Sequence, residues 1–199
     1  MTDSSDLRFQ VVAAGHNGDM SLPLDALHHA DPSVRASALR ALARGEVITA
    51  AQITEALSDA HHEVRRTAVE LAAECPEVDV HHLINDPDIF VAEMTAWCLG
   101  EREEPSDVDV ETLISNCTGH SEQLVREACA AALGSIGDPR GRDAVLAACN
   151  DKPAVRRRAV LALSVFEGPE VEAAIDKALT DTDWQVRQNA EILRRPYND

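Results

Sequence analysis

Apolar and polar positions follow a helical period along this chain, and the period restarts six times. Each restart is marked by a Val-Arg doublet: Val34-Arg35, Val64-Arg65, Val125-Arg126, Val155-Arg156 and Val186-Arg187, with Val91-Ala92 in the remaining place. Successive valines lie 30, 27, 34, 30 and 31 residues apart. Four positions after the valine stands a small residue (Ala38, Ala68, Thr95, Cys129, Ala159, Ala190), and seven or eight after it a leucine (Leu42, Leu71, Leu99, Leu133, Leu163, Leu193). Apolar residues at 0, +4, +7 and +8 share one helix face, so each doublet predicts a helix, B, starting near residues 32, 61, 88, 121, 153 and 183.

The residues before each doublet are helix-starting types: Asp31-Pro32, Asp59, Asp86-Pro87-Asp88, His120-Ser121, Asn150-Asp151 and Asp181-Thr182-Asp183. Upstream of these turns the periodicity predicts a shorter helix, A, at Leu22–Leu27, Ile53–Leu57, Val78–Ile84, Val108–Ile114, Ala144–Ala148 and Val171–Leu179. The segments VDVHHLI from Val78 and VDVETLI from Val108 read as the same helix 30 residues apart. Breakers at Gly45, Pro76, Pro105, Gly137-Asp138-Pro139 and Gly168-Pro169 separate the units. Leu7–Ala14 matches a helix B without its partner and is expected to cap the array, because terminal repeats meet water on their outer face. The expected layout is a flexible segment 1–6, one repeat array over 7–194 and a tail at 195–199.

Composition supports close helix packing: 31 alanines and only six aromatics among 199 residues favour small, tightly apposed helices over a bulky core. The start is polar and no run approaches a membrane span, so a cytoplasmic location is expected. Five cysteines without a CxxC pair fit reduced thiols. Cys98 and Cys129 fall on packing positions, which predicts buried, inert groups.

On these residues the chain resembles the HEAT-repeat family, in particular the short HEAT-like repeats of the phycobilisome-lyase type. VREACAAALGSIGDPRG at Val125–Gly141 and VRRRAVLALSVFEGPE at Val155–Glu170 carry the resemblance best. It implies an all-α fold, a right-handed α-α superhelix (α-solenoid) of about six helix pairs plus an N-terminal capping helix. Repeat three departs from the pattern, with Ala92 in place of arginine. The family is functionally broad, so its name adds little about activity.

The arginines after valine, Arg35, Arg65, Arg126, Arg156 and Arg187, could form a phosphate ladder. The stronger reading is structural, with each arginine pairing to acidic turn residues nearby. Three His-His doublets, His28-His29, His61-His62 and His81-His82, invite a metal site, yet adjacent helical residues point about 100° apart and rarely serve one ion. Capping or solvated histidines are expected instead, with no metal and no cofactor. Deoxyhypusine hydroxylases also resemble HEAT repeats and bind two irons through several His-Glu doublets, but this chain has only His62-Glu63. No phosphate loop, nucleophile elbow or HExxH motif occurs, so no catalytic residue is assigned.

Charge refines the choice. The chain has 18 basic and 35 acidic residues and a net charge of −17. The six B helices add up to +1, leaving −18 elsewhere. In the curvature that the HEAT-repeat resemblance implies, the B helices line the inner face, and a near-neutral lining within an acidic surround is too weakly basic for duplex DNA, which argues against a glycosylase-like reading. Along each B helix, +2, +3, +6 and +9 should face outward. They give a candidate groove of Glu93, Met94, Trp97, Glu127, Ala131, Arg157, Arg158 and Leu161. Trp97 there is either an interface anchor or a filler against the next repeat. Trp184 is expected to cover the C-terminal end of the core. The expected function is a non-catalytic protein-binding scaffold or adaptor for a protein or peptide, basic in character, with no nucleic acid or membrane partner. The alternative is an accessory lyase or chaperone-type protein handling a tetrapyrrole or its acceptor protein.

Overall fold

The computed structural model describes residues 4–195, and among them every regular element is a helix. A lone helix, α1 (Ser4–Asn17), is followed by α2 (Ser21–Ala26) with α3 (Pro32–Arg44) and α4 (Ala50–Ala56) with α5 (His62–Ala72). A 3₁₀ turn at His81–Asn85 precedes α6 (Ile89–Glu101). Three further pairs follow: α7 (Asp107–Gly119) with α8 (Gln123–Ile136), α9 (Arg142–Ala148) with α10 (Pro153–Ala162), and α11 (Pro169–Ala178) with α12 (Trp184–Arg194). Residues 1–3 and 196–199, within the expected flexible N-terminus and tail, lie outside the described residues.

Local chemistry sets these boundaries. Asp31 accepts from the Ser33 amide at the start of α3, and Asp183 accepts from the Gln185 and Val186 amides at the start of α12. Thr49 with Gln52, and Ser106 with Asp109, form reciprocal capping boxes on α4 and α7. Proline occupies the first turn of α3, α10 and α11, where its missing N–H costs nothing. At the far end of α8, Gly137 turns left-handed at φ 69°, and its amide reaches back to the Leu133 carbonyl.

The helix A expected at Val78–Ile84 does not form. Only the five-residue 3₁₀ turn is present, whereas its sequence twin from Val108 opens a helix of 13 residues. The flanks explain the difference. Asp79 caps the His81 amide at 3.0 Å, so helical geometry starts late, and Pro87 holds Asp86 extended at ψ 141°, so it ends early. Val78 and Val80 are nevertheless buried, at 1% and 0% exposure.

The chain divides into two compact units, one up to Thr95 and one from Ala96. In the first, α1, α3 and α5 pack in succession while α2 and α4 back α3 and α5. In the second, α8, α10 and α12 form one layer and α7, α9 and α11 the other. The 0, +4, +7 and +8 positions form the core: Val34, Ala38, Ala41 and Leu42 in the first unit, and Val125, Cys129, Ala132 and Leu133 in the second, are all buried. Burying each such valine or leucine contributes roughly 1.5–3 kcal/mol before entropy is counted. The helices approach so closely that glycine is required at the crossings. A Cβ on Gly100 would lie 2.6 Å from the Ala132 Cβ, and one on Gly134 would lie 2.6 Å from the Ala162 Cβ.

Candidate binding surface

The turns between A and B helices are held by a repeated side-chain motif. Arg35 donates from Nε and Nη2 to the two oxygens of Asp59, at 2.8 and 2.7 Å, and from Nη1 to the carbonyls of His29 and Ala30 in its own turn. Arg65 does the same to Asp86, both bonds at 2.7 Å, with Asp59 and Ala60 supplying the carbonyls. In the second unit Arg126 holds Asp151 at 2.6 and 2.9 Å, and Arg156 holds Asp181 at 2.9 and 2.6 Å. These are bidentate, charge-assisted bonds between half-buried groups. Each links one turn to the next along the chain. The bonds from Arg126 and Arg156 hold the Asp151 and Asp181 carboxyls below their ordinary range. For Asp59 and Asp86 burial pushes the carboxyl up, and the guanidinium and backbone donors outweigh it, so both are lowered as well.

The pairing of these arginines with acidic turn residues is the one expected from the sequence, and the partner aspartates hold a regular position. Asp59, Asp86 and Asp181 stand five residues before the valine of their repeat and Asp151 four before it, while His29 and His120 stand five before the valine of the first and fourth repeats. The first repeat has no Val-Arg doublet ahead of it, and the fourth follows Ala92. Aspartate is therefore present where the preceding repeat has the arginine, and histidine where it does not. Both histidines keep the local half of the job: Nδ1 of His29 accepts from the Asp31 amide and Nδ1 of His120 from the Glu122 amide, each at 3.0 Å.

Three of the remaining histidines also have partners. His61 caps α5 through Glu63 and stacks on His62 at 4.6 Å, His62 lies 3.3 Å from Asp88, and His81 lies 2.7 Å from Asp79. His62 belongs to the single His-Glu doublet. Among the described residues no group of three or more His, Cys, Asp and Glu is arranged to hold a metal. Cys98, Cys117 and Cys129 are fully buried, and burial pushes the Cys117 thiol up to about 12. Cys129 shifts in the same direction. Thiols held protonated in this way are poor nucleophiles.

The expected groove residues fall on both units. Glu93 and Met94 lie in the first, both half-buried. In the second, Trp97 is 41% and Leu161 37% exposed, and Ala131 is exposed on α8. A shallow cavity of about 270 Å³ lies over the crossing of α8 and α10, lined by Ala131, Gly134, Ser135, Arg158, Leu161, Ala162 and Ser164. Its charges are matched, because Arg158 Nε reaches Glu127 at 3.3 Å. Arg157 is tied to Asp183 at 3.0 and 2.5 Å and takes part in packing α10 on α12, where Asn189 also donates to the Arg157 carbonyl. Trp184 does not cover the core: it is 60% exposed, because it precedes the first buried residue of α12 and points outward.

Two features were not read from the sequence. Arg102 and Asp109 form a buried ion pair at 2.7 Å, 6% and 1% exposed, which fastens the end of α6 to the start of α7. In the first unit a cavity of about 630 Å³ opens between the short helices α2 and α4, with Leu27, Leu39, Ala56 and Val64 as apolar lining and His28, Gln52 and Glu55 among its polar groups. Among the described residues no helix is long and apolar enough to cross a membrane.

A family model described as HEAT repeats matches residues 79–164. No curated protein matches the sequence. Among solved structures, YibA of Escherichia coli is similar with a TM-score of 0.65 and 16% identity, over 97% of this chain and 74% of that one. A designed armadillo repeat protein matches with a TM-score of 0.57 and 14% identity, over 86% of this chain and 96% of that one. Human deoxyhypusine hydroxylase in complex with glycerol matches with a TM-score of 0.50 and 19% identity, over 96% and 79%. At these identities the likeness speaks for the fold alone. The chain thus has the all-α fold of the helical-repeat solenoids, and its residues 79–164 match HEAT repeats.

Proposed function

We propose that this chain is a non-catalytic protein-binding scaffold, and that the B-helix face of its second unit, around Trp97, Ala131, Arg158 and Leu161, takes a segment of a partner protein. The observation that carries this reading is the exposure of Trp97 on α6 and Leu161 on α10, two large apolar side chains at the outward positions of their helices. Exposed aromatic and aliphatic groups beside a paired arginine have the chemistry of an interface anchor. Glu127 and Arg158 already neutralise each other, so this surface selects by shape and apolar contact. The net charge of −17 attracts a basic segment to the molecule before those contacts form. A basic helix or extended peptide is the partner chemistry this combination favours.

The test uses affinity capture with the wild-type chain, Trp97→Ala and Leu161→Glu, each first checked by its circular-dichroism melt. The reading expects folded variants that lose the captured partner. Capture undiminished by both substitutions overturns it. The alternative, an accessory protein for a tetrapyrrole or its acceptor, rests on likeness to the phycobilisome-lyase type of repeat alone. A flat absorbance titration with bilin and haem removes it.

A further inference from the structure

Each arginine of the turn motif uses two edges of its guanidinium. Nη1 donates to carbonyls of its own turn, which fixes the attitude of the group, and Nε with Nη2 then faces the next turn and grips an aspartate side-on. Arg187 completes only the first half. Its Nη1 donates to the Asp181 and Thr182 carbonyls at 2.7 and 3.2 Å, matching the contacts of Arg35, Arg65 and Arg126. Among the described residues no carboxylate meets its other edge. On the same helix Trp184 is 60% and Ile192 47% exposed, eight residues apart and so on one face of α12.

We infer that the outer face of α12 is a second docking surface, for a partner protein that presents an aspartate on the turn before a helix. Arg187 takes the carboxylate side-on, and Trp184 and Ile192 take the apolar flank. This chain fills the same fork four times over, with Asp59, Asp86, Asp151 and Asp181, so the complementary group is known in kind and geometry. Charge narrows the choice. Asp181 and Asp183 flank the fork, so a singly charged carboxylate is favoured over a phosphate dianion. A second copy of the chain is a poor complement through its first repeat, because His29 stands there where four of the other turns carry the aspartate. The site is distinct from the face around Leu161, and the two are separable by mutation.

The probe is a synthetic peptide of residues 139–165, which contains the Asp151 turn that Arg126 holds and lacks tryptophan. It is titrated into the full chain carrying Trp97→Phe, so that emission reports Trp184. The result expected is a saturable change in Trp184 emission that weakens at least tenfold when the peptide carries Asp151→Asn, or when the chain carries Arg187→Gln or Arg187→Lys. Leu161→Glu should leave that binding unchanged. Lysine keeps the charge and loses the fork, so it serves if the glutamine variant is unfolded by circular dichroism. No saturable change, or equal binding by the Asp151→Asn peptide and by the Arg187 variants, overturns the inference. So does a dimer in sedimentation that Arg187→Gln dissociates, since the occupant is then a second copy.

Discussion

Replacing Arg126 by methionine should unfold the second unit at a much lower temperature, while the same change at Arg140 should hardly register. Arg126 makes four hydrogen bonds, two to Asp151 and one each to the His120 and Ser121 carbonyls, and the paired side chains are 13% and 20% exposed. Removing one partner of a fully buried pair costs about 3–5 kcal/mol, and hydrogen bonds to charged groups contribute about 1.5–3 kcal/mol. Partial exposure lets water reach the abandoned carboxylate, so the estimate here is about 2–4 kcal/mol. Arg140 pairs with its near neighbour Asp138 and with Asp107 from a side chain that is 46% exposed, where a pair contributes about 0–1 kcal/mol. For a unit of this size a loss of 1 kcal/mol lowers Tm by roughly 4–8 °C, so Arg126→Met should shift the transition by about 10 °C or more. The assay is a double-mutant cycle with Asp151→Ala, read by thermal and urea unfolding. A coupling energy under ~0.5 kcal/mol, or equal effects at Arg126 and Arg140, would refute the view that this motif holds successive repeats together.

Four further outcomes follow from the same structure. Gly134→Ala should destabilise by about 1–2 kcal/mol, because a strained overpacked contact with Ala162 outweighs the helix-propensity gain of about 1 kcal/mol. Gly119→Ala, where a Cβ meets nothing within 4 Å, should be neutral or slightly stabilising in the same unfolding assay. Arg102→Met takes the guanidinium away from the buried Asp109 carboxylate and should cost about 3–5 kcal/mol, seen as loss of soluble folded chain at 37 °C. Acid should weaken the turn motif. Because Asp59, Asp86, Asp151 and Asp181 have folded pKa values below their unfolded ones, their contribution is complete above about pH 4 and is lost as pH falls through the folded values. Melting from pH 6 to pH 3 should show a steeper acid decline for the wild type than for Arg126→Met, and parallel declines would contradict it.

The B helices were readable because one residue pattern both buries a face and anchors a turn: Val125, Cys129 and Leu133 carry the core while Arg126 carries the turn. Helix A of the third repeat was not readable from its apolar spacing, since Val78 and Val108 open matching segments. The outcome depended on Asp79 and Pro87, short-range effects that periodicity averages away. Ala131 and Leu161 could be placed on an outward face from helical angle alone. What angle could not supply was where each charge is spent, and Arg157 illustrates it, with its guanidinium tied to Asp183. The buried pair of Arg102 and Asp109 escaped notice because the two residues flank a breaker at Pro105 and share no periodic position. The cavity between α2 and α4 arises from the brevity of both helices, six and seven residues, and not from a motif.

The central claim is that an exposed B-helix face of the second unit, and no chemical centre, carries the function. Crosslinking of the purified chain to its captured partner, with the linked residues located by mass spectrometry, tests it most directly. The account predicts links clustered around Glu127, Ser135, Arg158 and Ser164 that disappear with Leu161→Glu. Links confined to the layer of α7, α9 and α11, unchanged by that substitution, would contradict it.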